Sequence, residues 1–265
     1  MHHVIFLSGG IGSWAAGKRV AQAYGTKNMT CLFTDTKFED EDTYRFLRDA
    51  AANIGAPLEI ISEGRDIWQV FRDNGFLGNS RVDLCSRILK RELADKWIAK
   101  NFTPETVTCY VGIDWTELHR FERLAPRKLP WIYKAPLCDK PYLMKAELHD
   151  WAGSEGLKKQ RLYLIGSAHA NCGGGCVKAG LGHWRNLFQK WPERYALWES
   201  KEQEIYDHVP RAKPFLKKRI KGETIYLSLR DLREQYLEPE LSGATCDIDP
   251  NDLGGCGCFS DSEDE

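Results

Sequence analysis

The chain has 265 residues, of which 42% are hydrophobic and 28% charged, enough for one substantial core or a core with an appendage. Thirty-seven Lys and Arg against 38 Asp and Glu leave a formal net charge of -1, which does not support nucleic acid as a partner through bulk charge, although a local basic patch stays open. No apolar run approaches the ~18 residues that span a bilayer, and Met1-His2-His3-Val4 leads straight into a strand, so a soluble, cytoplasmic protein with no membrane partner is expected.

The first half alternates strand and helix signals. An apolar run at 4–8 is followed by Gly9-Gly10 and a helical stretch over 13–24. Strand signals recur at 29–36, 57–62, 106–114 and 131–137, with helical stretches at 42–54 and 86–100. Strands separated by helices of this length predict right-handed crossovers: a doubly wound, mostly parallel five-stranded α/β sheet with helices on both faces. Ligands bind such sheets beyond the carboxyl ends of the strands, where strand order reverses, and the polar clusters of this chain follow strands.

From about Asp139 the pattern turns helical and rich in cysteine and glycine. Trp184, Trp191 and Trp198, seven apart, read as a core stripe that Pro192 interrupts. A short strand runs into a helix after Lys221-Gly222, and the chain ends in Ser-Asp-Ser-Glu-Asp-Glu, an acidic tail expected to be disordered. The division predicted is 1–138 for a nucleotide-binding α/β domain, 139–258 for a mainly helical, Cys-rich C-terminal region, and 259–265 for the tail.

Ser8-Gly9-Gly10-Ile11-Gly12-Ser13 closes the first strand and opens the first helix. Glycines at such a turn admit φ > 0 and let amide groups approach an anion, while the helix N-terminus adds the positive end of its dipole. A polyphosphate is the natural ligand; a turn that uses glycine only for packing is the competing reading. A dinucleotide fingerprint fits poorly, because Ala15 takes the third glycine place. A Walker loop fails at Arg19, where a magnesium-binding hydroxyl is needed.

This S-G-G-x-x-S segment resembles the signature of the PP-loop ATP pyrophosphatases, which have the adenine nucleotide alpha hydrolase-like (HUP-like) fold. The chain is most similar to their phosphoadenylylsulfate reductase branch: Thr34-Asp35-Thr36 with the acidic, aromatic stretch to Phe46, the segment 111–124 with its Gly112-Ile113, and 134–151 resemble that branch in order. The resemblance covers about 3–185. It implies ATP cleaved between its α and β phosphates with Mg2+, leaving an adenylylated acceptor and pyrophosphate, or binding of a related adenylyl nucleotide. Ser8 to Ser13, Thr34, Asp35, Thr36, Gly112 and Asp114 are then the nucleotide-binding candidates. The reductase segment Glu-Cys-Gly-x-His is missing, which speaks against reduction of adenylylated sulfate. A sulfonucleotide-binding protein, or a nucleotide- and metal-binding subunit of a modification system, are the alternatives.

Nine cysteines without a signal peptide argue against a disulfide framework. Cys31, Cys109 and Cys138 lie in apolar runs and read as core. Cys172 and Cys176 flank three glycines, and Cys256 and Cys258 follow Gly254-Gly255. Such segments can fold round an ion, and thiolates select zinc or iron–sulfur. Two sites are open: four thiolates from Cys172, Cys176, Cys256 and Cys258, or a 4Fe–4S cluster on three cysteines including Cys85, as sulfur-inserting relatives carry. Free thiols are the plain alternative, and His169 and His183 beside the first pair read as structural histidines. Cys85 precedes a predicted helix, whose dipole would favour thiolate. With Cys85, the candidates for catalysis are Lys90, facing the triphosphate together with Arg87, and Arg120 and Arg123, clamping the departing pyrophosphate; Lys178 has a similar role. Asp35 would hold ribose or Mg2+, or cap the next helix. A homo-oligomer is left open.

Overall fold

Five strands, β1 (His2–Phe6), β2 (Met29–Asp35), β3 (Leu58–Ser62), β4 (Val107–Tyr110) and β5 (Ile132–Lys134), form a sheet in the order β3-β2-β1-β4-β5 in the computed structural model, which describes residues 1–170 and 172–254. All four pairings are parallel, with Val4 opposite Thr30 on one side and Cys109 on the other. The chain reverses its direction of growth between β1 and β4, which fixes the switch point there.

Alternation along the strands explains why both faces are covered. Ile5, Leu7, Cys31 and Phe33 face α1 (Ile11–Tyr24) and α2 (Glu41–Ile54), whereas Val4, Phe6, Leu32 and Cys109 face the opposite core. α3 (Ile67–Asp73) starts from an Asp66–Gln69 capping box. α4 (Leu84–Ser86) continues through a π turn, Arg87–Glu92, into α5 (Leu93–Asn101). α5 and α6 (Leu118–Arg127) lend Ala94, Ile98 and Leu124 to the second core. The fold is the doubly wound α/β sheet predicted.

α7 (Lys145–Ser154) packs on α1, with the Trp14 and Trp151 rings 4.9 Å apart. Beyond α8 (Arg161–Leu164), a third core joins α9 (Leu181–Lys190), α10 (Pro192–His208) and α11 (Leu229–Leu232) to α3 and Leu84. α12 (Glu238–Leu241) follows a second π turn, Arg233–Leu237. Trp184 and Trp198 are fully buried in this core, 5.2 Å apart, and Pro192 starts α10 rather than kinking one long helix. β6 (Leu216–Ile220) and β7 (Glu223–Leu227) make an antiparallel hairpin. Its two-residue turn, Lys221-Gly222, has φ of 49° and 91°, the left-handed pair that such a turn requires. Among the described residues no helix is long and apolar enough to cross a membrane.

One buried carboxylate in the third core makes stability depend on pH. Glu202 accepts the Leu229 N–H at 2.6 Å and the Tyr206 hydroxyl at 2.6 Å, and burial pushes its pKa up from 4.5 to about 7. Between these values the native state holds a proton that the unfolded chain releases, so stability falls as pH rises through the window. The loss amounts to about 3 kcal/mol across it. Glu202→Gln should flatten the dependence, since the amide oxygen can accept from Leu229 while its NH2 donates to Tyr206. Urea titrations at pH 5 and pH 8 check this, and equal slopes for both proteins would refute it.

Candidate nucleotide site

The loop after β1 is shaped by backbone-to-backbone contact. Gly9 adopts φ 84°, and a β-carbon there would come within 2.7 Å of the Thr43 methyl. Gly10 differs from the sequence expectation: its φ is -84°, and a β-carbon would meet only Tyr163 Oη at 3.6 Å and Ser8 Oγ at 3.7 Å. The tight position is Gly12 against Gly112, at the end of β4. A β-carbon on Gly112 would lie 2.6 Å from the Ser13 nitrogen, and one on Gly12 would lie 2.8 Å from the Gly112 carbonyl oxygen. Gly10 is the N-cap of α1 and has no side chain to cap it. Ser13 turns its hydroxyl back to the Gly10 carbonyl at 2.7 Å.

A cleft opens over this contact, at the switch point between β1 and β4. Ser8, Gly10, Ile11, Gly12, Ser13, Gly112 and Asp114 line it together with Arg120. Asp114 accepts the Thr116 N–H at 2.9 Å and its hydroxyl at 2.6 Å, both on Oδ1. Arg120 is paired with Glu117, which also lines the cleft. Arg123 is exposed on α6 and is not among the lining residues, so the predicted arginine clamp contributes one arm here.

Two polar lining residues, Lys145 and Tyr163, were not singled out in the sequence, and His169, read there as a structural histidine, lines the cleft with them. Tyr163 Oη accepts the Ile11 N–H at 3.3 Å, and the Lys145 ammonium sits 5.4 Å from the centre of its ring and donates to the Ala168 carbonyl. Lys145 is the first residue of α7, where a cation opposes the helix dipole; that misplacement was the available signal. Behind Tyr163, His149 is held near pKa 4 by burial and by Lys159 and Lys145, so it stays neutral at physiological pH.

The second strand contributes a neighbouring cluster. Asp35 accepts the Lys37 N–H at 2.8 Å and the Tyr44 hydroxyl at 2.6 Å, both on Oδ1. Burial, with this bond, pushes the Tyr44 hydroxyl far above its ordinary pKa. Asp35 does not cap α2, whose N-cap is Asp40. Thr34 and Thr36 are buried, and Thr36 donates to Glu39 Oε1 at 3.0 Å.

Lys90 and Arg87 part company at the π turn, because its extra residue rotates the following side chains. Arg87 is exposed and lies 3.6 Å from Glu92, whereas Lys90 is buried, 3.6 Å from Glu39 and 3.8 Å from Cys172 Sγ. Cys85 lies inside α4 rather than before a helix. Asp83, also buried, holds Arg91 at 3.0 Å and Lys178 at 3.3 Å, and the Lys178 N–H points to Cys176 Sγ at 3.4 Å. Cys172 thus lies beside Lys90, and Cys85 packs against the core that holds Cys172.

The glycines between Cys172 and Cys176 have a packing role that the sequence did not reveal. A β-carbon on Gly175 would sit 2.3 Å from the Trp198 ring, and one on Gly174 would sit 2.7 Å from Leu162. Gly173 lies under Arg194, which donates to its carbonyl. Cys172 itself has φ 51°, and its N–H donates to Glu39. His183 is buried with Nε2 2.8 Å from the Gly174 carbonyl oxygen, and burial lowers its pKa, so it acts as a structural histidine. Among the described residues no group of three or more His, Cys, Asp or Glu is placed to hold a metal ion. Cys256 and Cys258 lie outside the described residues, so the four-thiolate set is not assembled from what is described; the chain reaches Gly254, which is bridged to Ala179.

No family model matches this chain, and no curated protein matches it in sequence. Among solved structures it is similar to the phosphoadenylyl-sulfate (PAPS) reductase from Candida auris in its phosphate complex, with 16% identity and a TM-score of 0.45 over 63% of this chain and 79% of that one.

Proposed function

We propose that the chain is an ATP-dependent adenylating enzyme of the ATP pyrophosphatase kind. The observation that carries this reading is the Gly12–Gly112 contact, which sets the start of α1 beside a cleft at the switch point with Arg120 and Lys145 on its walls. The loop amides and the α1 dipole take phosphate oxygens, and the two cations offset charge that develops on departing pyrophosphate. Magnesium suits the donor chemistry, since hard cations take carboxylate oxygens and Asp114 lines the cleft with Asp35 on the adjoining strand end. Bound there, it would neutralise phosphate charge.

Incubation with ATP, Mg2+ and candidate acceptors, followed by chromatography, tests the reading. AMP and pyrophosphate are the expected products; ADP as sole product would refute it. Phosphoadenylyl sulfate that binds with no turnover of ATP would favour the sulfonucleotide alternative.

Transfer of sulfur to the activated acceptor is the finer proposal, resting on Cys172 beside Lys90, with Cys85 and Cys176 as the further thiols. A zinc or 4Fe–4S site would need donors beyond the described residues, and no step is assigned to it. Metal and sulfide analysis after anaerobic purification decides: bound metal that Cys172→Ser removes supports a thiolate site, and metal-free active protein rules it out.

A further inference from the structure

A second, larger depression lies away from the nucleotide cleft, between the 75–82 loop and the hairpin β6–β7. Its volume is about 780 Å3. Six cations line it, Arg81, Arg211, Lys213, Lys217, Lys218 and Arg219, and no carboxylate does. In a chain of net charge -1 this is a marked sorting of charge. Among the described residues Arg81, Arg211, Lys213 and Lys217 have no carboxylate within ion-pair distance; Lys218 alone is paired, with Asp247. Like charges held together without counter-charges repel one another, so the arrangement costs stability in the free protein.

The hairpin register places aromatic surface among these charges. Lys217 is opposite Tyr226 and Arg219 is opposite Thr224, so all four side chains share one face of the two-stranded sheet. Successive cations on that face are about 7 Å apart. Tyr226 is 54% exposed, and Phe76, across the groove, is 37% exposed. An acidic peptide would answer the charges but would leave two flat rings in water. A flexible polyanion with planar bases satisfies both.

We propose that this groove binds a single-stranded nucleic acid, with phosphates on Arg81, Arg211, Lys213 and Lys217 and bases stacked on Phe76 and Tyr226. The inference stands independently of the ATP reading, because the groove shares no residue with the nucleotide cleft.

Fluorescence anisotropy with short labelled RNA, the same sequence as DNA, and the matching duplex tests it on the full chain. Either single strand should bind, and the preferred one identifies the sugar. Four phosphate contacts predict a slope near -3 for log affinity against log salt, at about -0.7 per contact. Lys213→Glu with Lys217→Glu should weaken binding at least tenfold, and Tyr226→Ala about fivefold or more, with circular dichroism unchanged. ATP with Mg2+ in excess should leave the strand bound. No binding at low salt, unchanged affinity in the charge-reversed protein, preference for the duplex, or equal displacement by polyglutamate would each overturn the proposal.

Discussion

Gly112→Ala should lower ATP affinity by about 10- to 100-fold while the protein stays folded. The added methyl would fall 2.6 Å from the Ser13 nitrogen and 2.7 Å from the Gly12 carbonyl carbon. Both are main-chain atoms in a buried loop-to-helix junction, so no side-chain rotation relieves the clash. The loop must move off the end of β4, and the amide groups at the start of α1 move with it. A charge-assisted hydrogen bond contributes about 1.5–3 kcal/mol, so misplacing even one gives the stated loss. Overpacking costs about 1–3 kcal/mol of stability besides, within what a domain of this size tolerates. Isothermal titration with ATP and a urea titration on the same sample separate the two effects. Full ATP affinity in a folded Gly112→Ala variant would remove the loop cleft from consideration as the nucleotide site. Gly10→Ala makes the matched comparison: its φ of -84° suits any residue and its β-carbon finds ordinary contacts, so stability should hardly change.

The sheet was legible in the sequence because period and length agree in its first half. Apolar runs of strand length alternate with helical stretches, and right-handed crossovers leave few topologies. The loop at 8–13 was legible because glycine at φ 84° and a helix start are local properties. What sequence spacing could not show is which distant backbone touches it: Gly112 stands among the candidates through the resemblance, but its contact with Gly12 is visible only in the fold. Lys90 and Arg87 illustrate the other limit. Three residues apart, they share a face of an α-helix, but the π turn separates them into one buried and one exposed group. The 173–175 glycines show a third limit. No packing role for them is visible in the sequence, yet Trp198 and Leu162, brought in by other helices, occupy the space where β-carbons would stand.

Lys90→Met should destabilise the protein by about 3–5 kcal/mol and leave ATP affinity nearly unchanged in the fraction that folds. The Lys90 side chain is 4% exposed and that of Glu39 0%. Glu39 is a junction: it takes the Thr36 hydroxyl from the end of β2 and the Cys172 N–H from the glycine segment. Removing the ammonium takes away a cation 3.6 Å from this buried carboxylate and sets a neutral thioether in its place, so its desolvation is less well offset. Lys90→Met combined with Glu39→Gln should recover part of the loss, because the amide keeps an acceptor for Thr36 or Cys172 and carries no charge. A double-mutant cycle in urea measures that coupling. The sequence alone suggested instead that Lys90 faces the triphosphate. That role predicts the opposite pattern, with stability retained and ATP affinity reduced. The two measurements on one variant therefore decide whether Lys90 contacts the nucleotide or ties the end of β2 to Cys172, and a stable Lys90→Met protein that binds ATP weakly would overturn the buried-pair account.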